Sequence, residues 1–110
     1  MAQALNVFKS TQANLTSTMT SIYTAPTGYT TVMLSAQVSN ISNNTIAVSA
    51  AHVRAGNVTS IITSASVPVH DYLTLLSGKL ILQTGDSFHA NVNPSGAGQL
   101  IISVLETANP

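Results

Sequence analysis

The chain of 110 residues contains no cysteine. That excludes a disulfide framework, a thiolate zinc site and a cysteine nucleophile, and it leaves the redox compartment open. There is no tryptophan, and the aromatics are Phe8, Tyr23, Tyr29, Tyr72 and Phe88, too few for an aromatic platform that stacks sugars. Charge is scarcer still for a chain of this length. Lys9, Arg54, Asp71, Lys79, Asp86 and Glu106 make up 5% of the residues, where an ordinary soluble domain carries about 25%. Three basic residues spread along the chain cannot form a phosphate-binding stripe, so neither nucleic acid nor an acidic membrane is an expected partner. Ser, Thr and Asn interrupt every apolar run, so no transmembrane helix is expected. With a formal net charge of zero, copies of the chain barely repel one another, and association is favoured.

What is present is a core-forming composition. Hydrophobic residues make up 45% of the chain, and its polarity lies in Ser, Thr, Asn and Gln. A domain of this length buries roughly two-thirds of the surface its extended chain exposes, enough for a core without staples. The segment from Met1 to Lys9 has no basic start followed by an apolar run, so no secretory signal is expected.

The periodicity is that of strands. In Thr31–Ser39, Val32, Leu34, Ala36 and Val38 share one parity and Thr31, Ser35, Gln37 and Ser39 the other, with Met33 out of step. Such alternation marks a strand with one buried face. Further strands are expected over residues 45–53, 58–67, 73–76, 79–83, 87–92 and 100–106, all rich in β-branched residues. Turn residues separate them at Ala25-Pro26-Thr27-Gly28, Asn40–Asn44, Arg54-Ala55-Gly56-Asn57, Ser77-Gly78, Thr84-Gly85-Asp86 and Asn93–Gly98. The pattern predicts an all-β fold, an antiparallel β-sandwich of about seven to eight strands, with jelly-roll or immunoglobulin-like connectivity. Residues 20–110 would form the sandwich. Residues 1–19 are polar with no clear period and would form an N-terminal arm or edge segment, in which Ala4–Phe8 is a candidate contact.

Chemistry is poorly represented. His52, His70 and His89 lie at no ligand spacing, and the adjacent His70 and Asp71 would point to opposite faces of a strand. There is no Gly-x-Ser-x-Gly elbow, and the acids are Asp71, Asp86 and Glu106 alone. Asp86, in Thr84-Gly85-Asp86-Ser87, suits a turn in which its side chain caps backbone N–H groups. Four Asn-x-Ser/Thr triplets arise readily in so hydroxyl-rich a chain. No catalytic, metal or cofactor residue is assigned, and an enzyme is not expected. The charges sit mainly at turns and strand ends, where they would set turns and subunit register.

Ile22-Tyr23-Thr24-Ala25-Pro26-Thr27-Gly28-Tyr29-Thr30-Thr31-Val32 resembles the opening of small β-sandwich virion proteins of tailed bacteriophages. The Asn-rich loop 38–44 follows in the same order, and Gly78–Ser87 is similar to a leucine-rich strand, Gly-Asp, strand segment of that family. The likeness runs over about residues 20 to 107. It implies a structural component of the virion, assembled in the host bacterial cytoplasm. Its partners would be the major capsid protein or other virion proteins. Among such proteins, head decoration (cement) proteins are often trimers, and neck, tail or baseplate proteins serve as adaptors. A carbohydrate-binding module is the reading from another class. Ala4, Leu5, Val7, Phe8, Asn40, Asn43, Asn44 and Arg54 are the candidate partner contacts.

Overall fold

The computed structural model describes residues 6–108. These form nine strands: β1 (Asn6–Asn14), β2 (Thr20–Thr24), β3 (Tyr29–Asn40), β4 (Ile46–Arg54), β5 (Asn57–Val67), β6 (Tyr72–Thr74), β7 (Leu80–Leu82), β8 (Ser87–Asn93) and β9 (Gly98–Ala108). One sheet has the order β1-β9-β3-β6, with β7 also paired to β3, and the other has the order β2-β8-β4-β5. β6 and β7 run along the same side of β3 at different heights, against Gln37–Ser39 and Thr31–Met33. They are two halves of one interrupted edge strand, which leaves eight strand positions.

The pairing is nested. β1 pairs with β9, β2 with β8, β3 with β6 and β7, and β4 with β5. The chain is thus one long hairpin whose tip is the turn Ala55-Gly56, at φ 50° and 82°, the left-handed pair that a tight two-residue hairpin requires. Rolled up, the hairpin places successive pairs alternately in the two sheets. That is jelly-roll connectivity. An immunoglobulin arrangement puts sequence neighbours such as its first two strands side by side, whereas here β4 and β5 are the sequence neighbours that pair.

Between the sheets lie Met33, Ala36 and Val38 of β3, Leu100, Ile102 and Val104 of β9, Val48 and Ala50 of β4, and Phe88, Ala90 and Val92 of β8. Leu15, Ile46, Val67, Leu75 and Leu82 seal the margins. The parity expected for β3 needs correction over its first half. Thr31 and Met33 are buried, while Val32 and Leu34 face outward and are half-buried. Met33 lies opposite Val104 and Ser35 opposite Ser103, so Leu34 is an inserted residue. A bulge of this kind reverses the alternation, and Met33 was out of step in the sequence for that reason.

β1 covers the polar stretch Ser10–Asn14, which shows no period. As an edge strand it turns only the half-buried Val7, Thr11 and Ala13, with the stem of Lys9, toward the inner side. A strand that buries so little carries little apolar pattern.

Gly98 is buried at the start of β9 against core side chains. A Cβ there would lie 3.2 Å from Val38 Cγ1, 3.2 Å from Val92 Cγ2 and 3.4 Å from Ile46 Cδ1. Gly98→Ala is expected to destabilise the fold by about 1–3 kcal/mol through overpacking. Gly78→Ala, where an added Cβ meets nothing within 4 Å, is expected to stay within about 0.5 kcal/mol of the parent. Urea denaturation of the two variants checks both values.

Candidate assembly surface

The polar groups that close the sandwich define which surfaces remain for a partner. At one end, Asn40 terminates β3 and is 3% exposed. Its Nδ2 donates to the carbonyls of Asn44 (2.8 Å), Val67 (3.0 Å) and Pro68 (3.0 Å), and its Oδ1 accepts from the backbone N–H and the hydroxyl of Ser42. One side chain thereby ties β3 to the end of β5 in the opposite sheet.

At the other end, Tyr23 of β2 crosses the sandwich. Its hydroxyl donates to Glu106 Oε2 on β9 and is 2.9 Å from Thr31 Oγ1 on β3. Lys9 of β1 reaches Glu106 Oε1 at 2.9 Å. Burial raises the Glu106 pKa, but donation by Tyr23 and Lys9 and the charge of Lys9 outweigh it, and the carboxyl is held below its usual value. Tyr23 is pushed up to about 12, first by burial and then by the acceptor carboxylate. A few residues away, Asp86 accepts from Arg54 Nε (3.0 Å) and Nη2 (2.7 Å), from the backbone N–H of Gln83 (2.9 Å), and lies 3.0 Å from His52 Nε2. The Arg54 hydrogen bonds, supported by those from His52 and Gln83, bring the Asp86 pKa to about 2 against the cost of burial. Two ion pairs therefore engage four of the six charges inside the molecule. Among the described residues no buried side-chain N or O lacks a partner, and no three His, Asp or Glu converge on a point that would hold a metal ion.

Within its strands the outer face of the β1-β9-β3-β6/β7 sheet carries no charge, and the exposed Asp71 and Lys79 stand immediately before β6 and β7 at its margin. Its rows follow from the register. Phe8, Leu105, Val32 and Ile81 line up across β1, β9, β3 and β7. Ser10, Ser103 and Ser35 form the next row, then Gln12, Ile101, Gln37 and Thr74, then Asn14, Gln99, Ser39 and Tyr72. Phe8 is 74% exposed, Tyr72 59%, Ile81 49% and Ile101 43%. An apolar row across four strands, flanked by hydroxyls and amides, is wettable yet loses little on burial if each polar group finds a hydrogen bond. A shallow hollow of about 430 Å³ lies at one end of this face, lined by Gln12, Asn14, Ser39, Gln99 and Ile101, with no aromatic in its wall.

The residues singled out in the sequence fall in different places. Ala4 and Leu5 lie outside the described residues. Phe8 stands on the outer face, and Val7 on the inner side of the same strand. Asn43 and Asn44 are exposed in the β3–β4 loop, whereas Asn40 beside them is buried and fully bonded within the chain. Arg54 lies at the opposite end, its side chain half-exposed and bound to Asp86. Ile81, Ile101, Leu105 and Val32 were missed. Their signal was the runs Leu80-Ile81-Leu82, Leu100-Ile101-Ile102 and Val32-Met33-Leu34, in which apolar residues occupy both parities, so both faces of the strand are apolar.

No protein-family model and no curated protein matches the chain in sequence. Solved structures match it in fold. A chain from the disulfide-linked pili that form Bacillus endospore appendages superposes with a TM-score of 0.57 at 12% identity, over 98% of this chain and 93% of that one. A chain of the acidic stable capsid of Helicobacter pylori bacteriophage KHP30 gives 0.58 at 9% identity, over 96% and 90%. A chain of the T13 IBDV viral particle gives 0.57 at 7% identity, over 96% of this chain but 32% of that one. At these identities the likeness establishes the β-sandwich fold and nothing further.

The two ends of the sandwich generate two predictions. The Asp86 pKa in the fold lies below its ordinary 3.8. Its stabilising effect is therefore complete above about pH 4 and is lost as pH falls toward 2. Urea midpoints measured from pH 7 to pH 2 should fall over that window, and Asp86→Asn should remove the part of the slope that Asp86 supplies while costing about 1–3 kcal/mol at pH 7. Asn40→Asp replaces the two N–H donors of the amide, which three carbonyls share, by a carboxylate facing those carbonyls. It should cost at least about 3 kcal/mol at pH 7, and less as the acid is protonated, read from the same titration.

Proposed function

We propose that the chain is a structural protein of a bacteriophage virion, a decoration protein that docks on the head through the outer face of the β1-β9-β3-β6/β7 sheet and bridges neighbouring capsid subunits. The observation that carries this reading is the face whose strands carry no charge, with its apolar row Phe8–Leu105–Val32–Ile81. Burying such a row contributes about 25 cal/mol per Å² of apolar surface, and contacts of this kind are insensitive to salt. Each contact is weak, and repetition over a symmetric shell makes the sum strong. Two independent likenesses support the setting: the order of motifs from residue 20 to 107, and a fold shared with a phage capsid chain. The pilus chain shares the fold equally well, but its assembly is disulfide-linked and this chain has no cysteine with which to do the same.

Phe8, Asn43, Asn44 and Arg54 are all exposed enough to add contacts at the margins of such a docked subunit. The neck, tail or baseplate is the alternative position for the same protein, and copy number separates the two.

Quantitative mass spectrometry of purified particles is the test. Hundreds of copies per particle are expected, and a few to a dozen would move the protein to the neck, tail or baseplate. Absence from purified particles would overturn the virion reading. The double variant Ile81→Lys with Ile101→Lys, at exposed sites that leave the core untouched, should keep its melting temperature within a few degrees. Its copy number should fall at least tenfold, and an unchanged copy number would overturn the use of this face.

A further inference from the structure

A sandwich of two open sheets has four edges, and unpaired edges invite other strands to add. Three of the four are blunted here. β2 is five residues long and shifts register between Ser21 and Tyr23. β6 and β7 are three residues each. β5 is eleven residues long, but its ladder with β4 breaks twice, between Val48 and Ala50 and between Ala50 and Ala51, and Ser64 sits at φ 48°. Each device is one that proteins use against edge-to-edge pairing.

β1 has none of them. It runs nine residues in unbroken register with β9, from Asn6 opposite Thr107 to Asn14 opposite Gln99. It contains no proline, no glycine and no bulge. Lys9 is its one charge, and the ammonium is held 2.9 Å from Glu106 of its own chain. The gatekeeping charge is therefore neutralised in place, and two such edges can approach without like-charge repulsion. No other strand lies on the outer side of β1 among the described residues.

We infer that β1 is a strand-addition site whose occupant is β1 of a second copy of this chain, paired antiparallel across a two-fold axis. The choice of occupant follows from the other edges. A second copy offers one regular, unbroken edge, its own β1, because its remaining edges are short, bulged or interrupted. Pairing an edge with itself requires a two-fold axis, and a two-fold axis makes the strands antiparallel. The two β1-containing sheets then become one continuous sheet, and their uncharged outer faces lie side by side. The inference rests on edge geometry and holds whether or not the particle is a virion.

Because the chain has no cysteine, single cysteines introduced along β1 report the pairing directly. Each of Phe8→Cys, Lys9→Cys, Ser10→Cys, Thr11→Cys and Gln12→Cys is oxidised mildly in the full chain, with Thr59→Cys on β5 as control. Sedimentation should show the unmodified chain as a dimer at micromolar concentration. Disulfide-linked dimer should peak at one β1 position, or at two adjacent ones, at least tenfold above Thr59→Cys. A monomer at 100 µM would overturn the inference. So would a trimer, or a dimer that cross-links no better along β1 than at Thr59. Cross-links from β1 exclusively to a different protein of the assembled particle would also overturn it, in favour of a heterologous strand partner. Cross-linking depends on the surface of the folded chain alone, so its outcome is separable from the particle copy-number test.

Discussion

Everything in this molecule waits on β9. It lies between β1 and β3, and both of those neighbours come from the first 40 residues of the chain. The register is long on both sides, from Gly98 to Ala108 against β3 and from Gln99 to Thr107 against β1. The inner residues Leu100, Ile102 and Val104 are all in the core, and Glu106 receives the tyrosine that crosses from the other sheet. Loop closure over nearly the whole chain must occur before these contacts form, which is the topology of slow folders.

The scarcity of charge takes a specific form in the fold. Glu106 and Asp86 are buried and each is met by a base whose own side chain is about half-exposed. The pairs therefore act as clasps at one end of the sandwich, with Lys9–Glu106 joining β1 to β9 and Arg54–Asp86 joining β4 to the turn before β8. At the other end Asn40 does similar work with no charge at all. Polar satisfaction is concentrated at the ends, and the broad face of one sheet is left neutral. A face of that kind has no electrostatic means of rejecting its own copies.

The sequence revealed the class of fold because period-two alternation and turn residues are local signals, read from residues such as Ala36–Val38 or Gly56. The Leu34 bulge could be sensed as an anomaly at Met33 but not resolved, because a bulge is a relation between two strands and β9 is some 70 positions away. Residues 1–19 could be read only as an arm or edge segment for the opposite reason: β1 buries too few apolar residues to carry a pattern. The local capping role assigned to Asp86 is present in its bond to the Gln83 N–H. Its partners Arg54 and His52 were invisible, as was the pairing of Tyr23 with Glu106 across 83 positions. Asn40 looked like a loop-tip residue because its neighbours Asn43 and Asn44 are exposed in the loop, and only the arrival of the end of β5 shows where its amide goes. Of the outer face, Phe8 alone was singled out, since the lateral alignment of Phe8, Leu105, Val32 and Ile81 is a property of register.

That alignment has a consequence for quality control. The row is assembled from positions 8, 32, 81 and 105, contributed by four strands spread over the entire sequence. A nascent, truncated or proteolytically shortened chain cannot display it. The row exists only when all four strands are present and the roll has closed, so a partner that docks on it as proposed would meet the closed roll alone. The surface on offer is in this way coupled to completion of the fold.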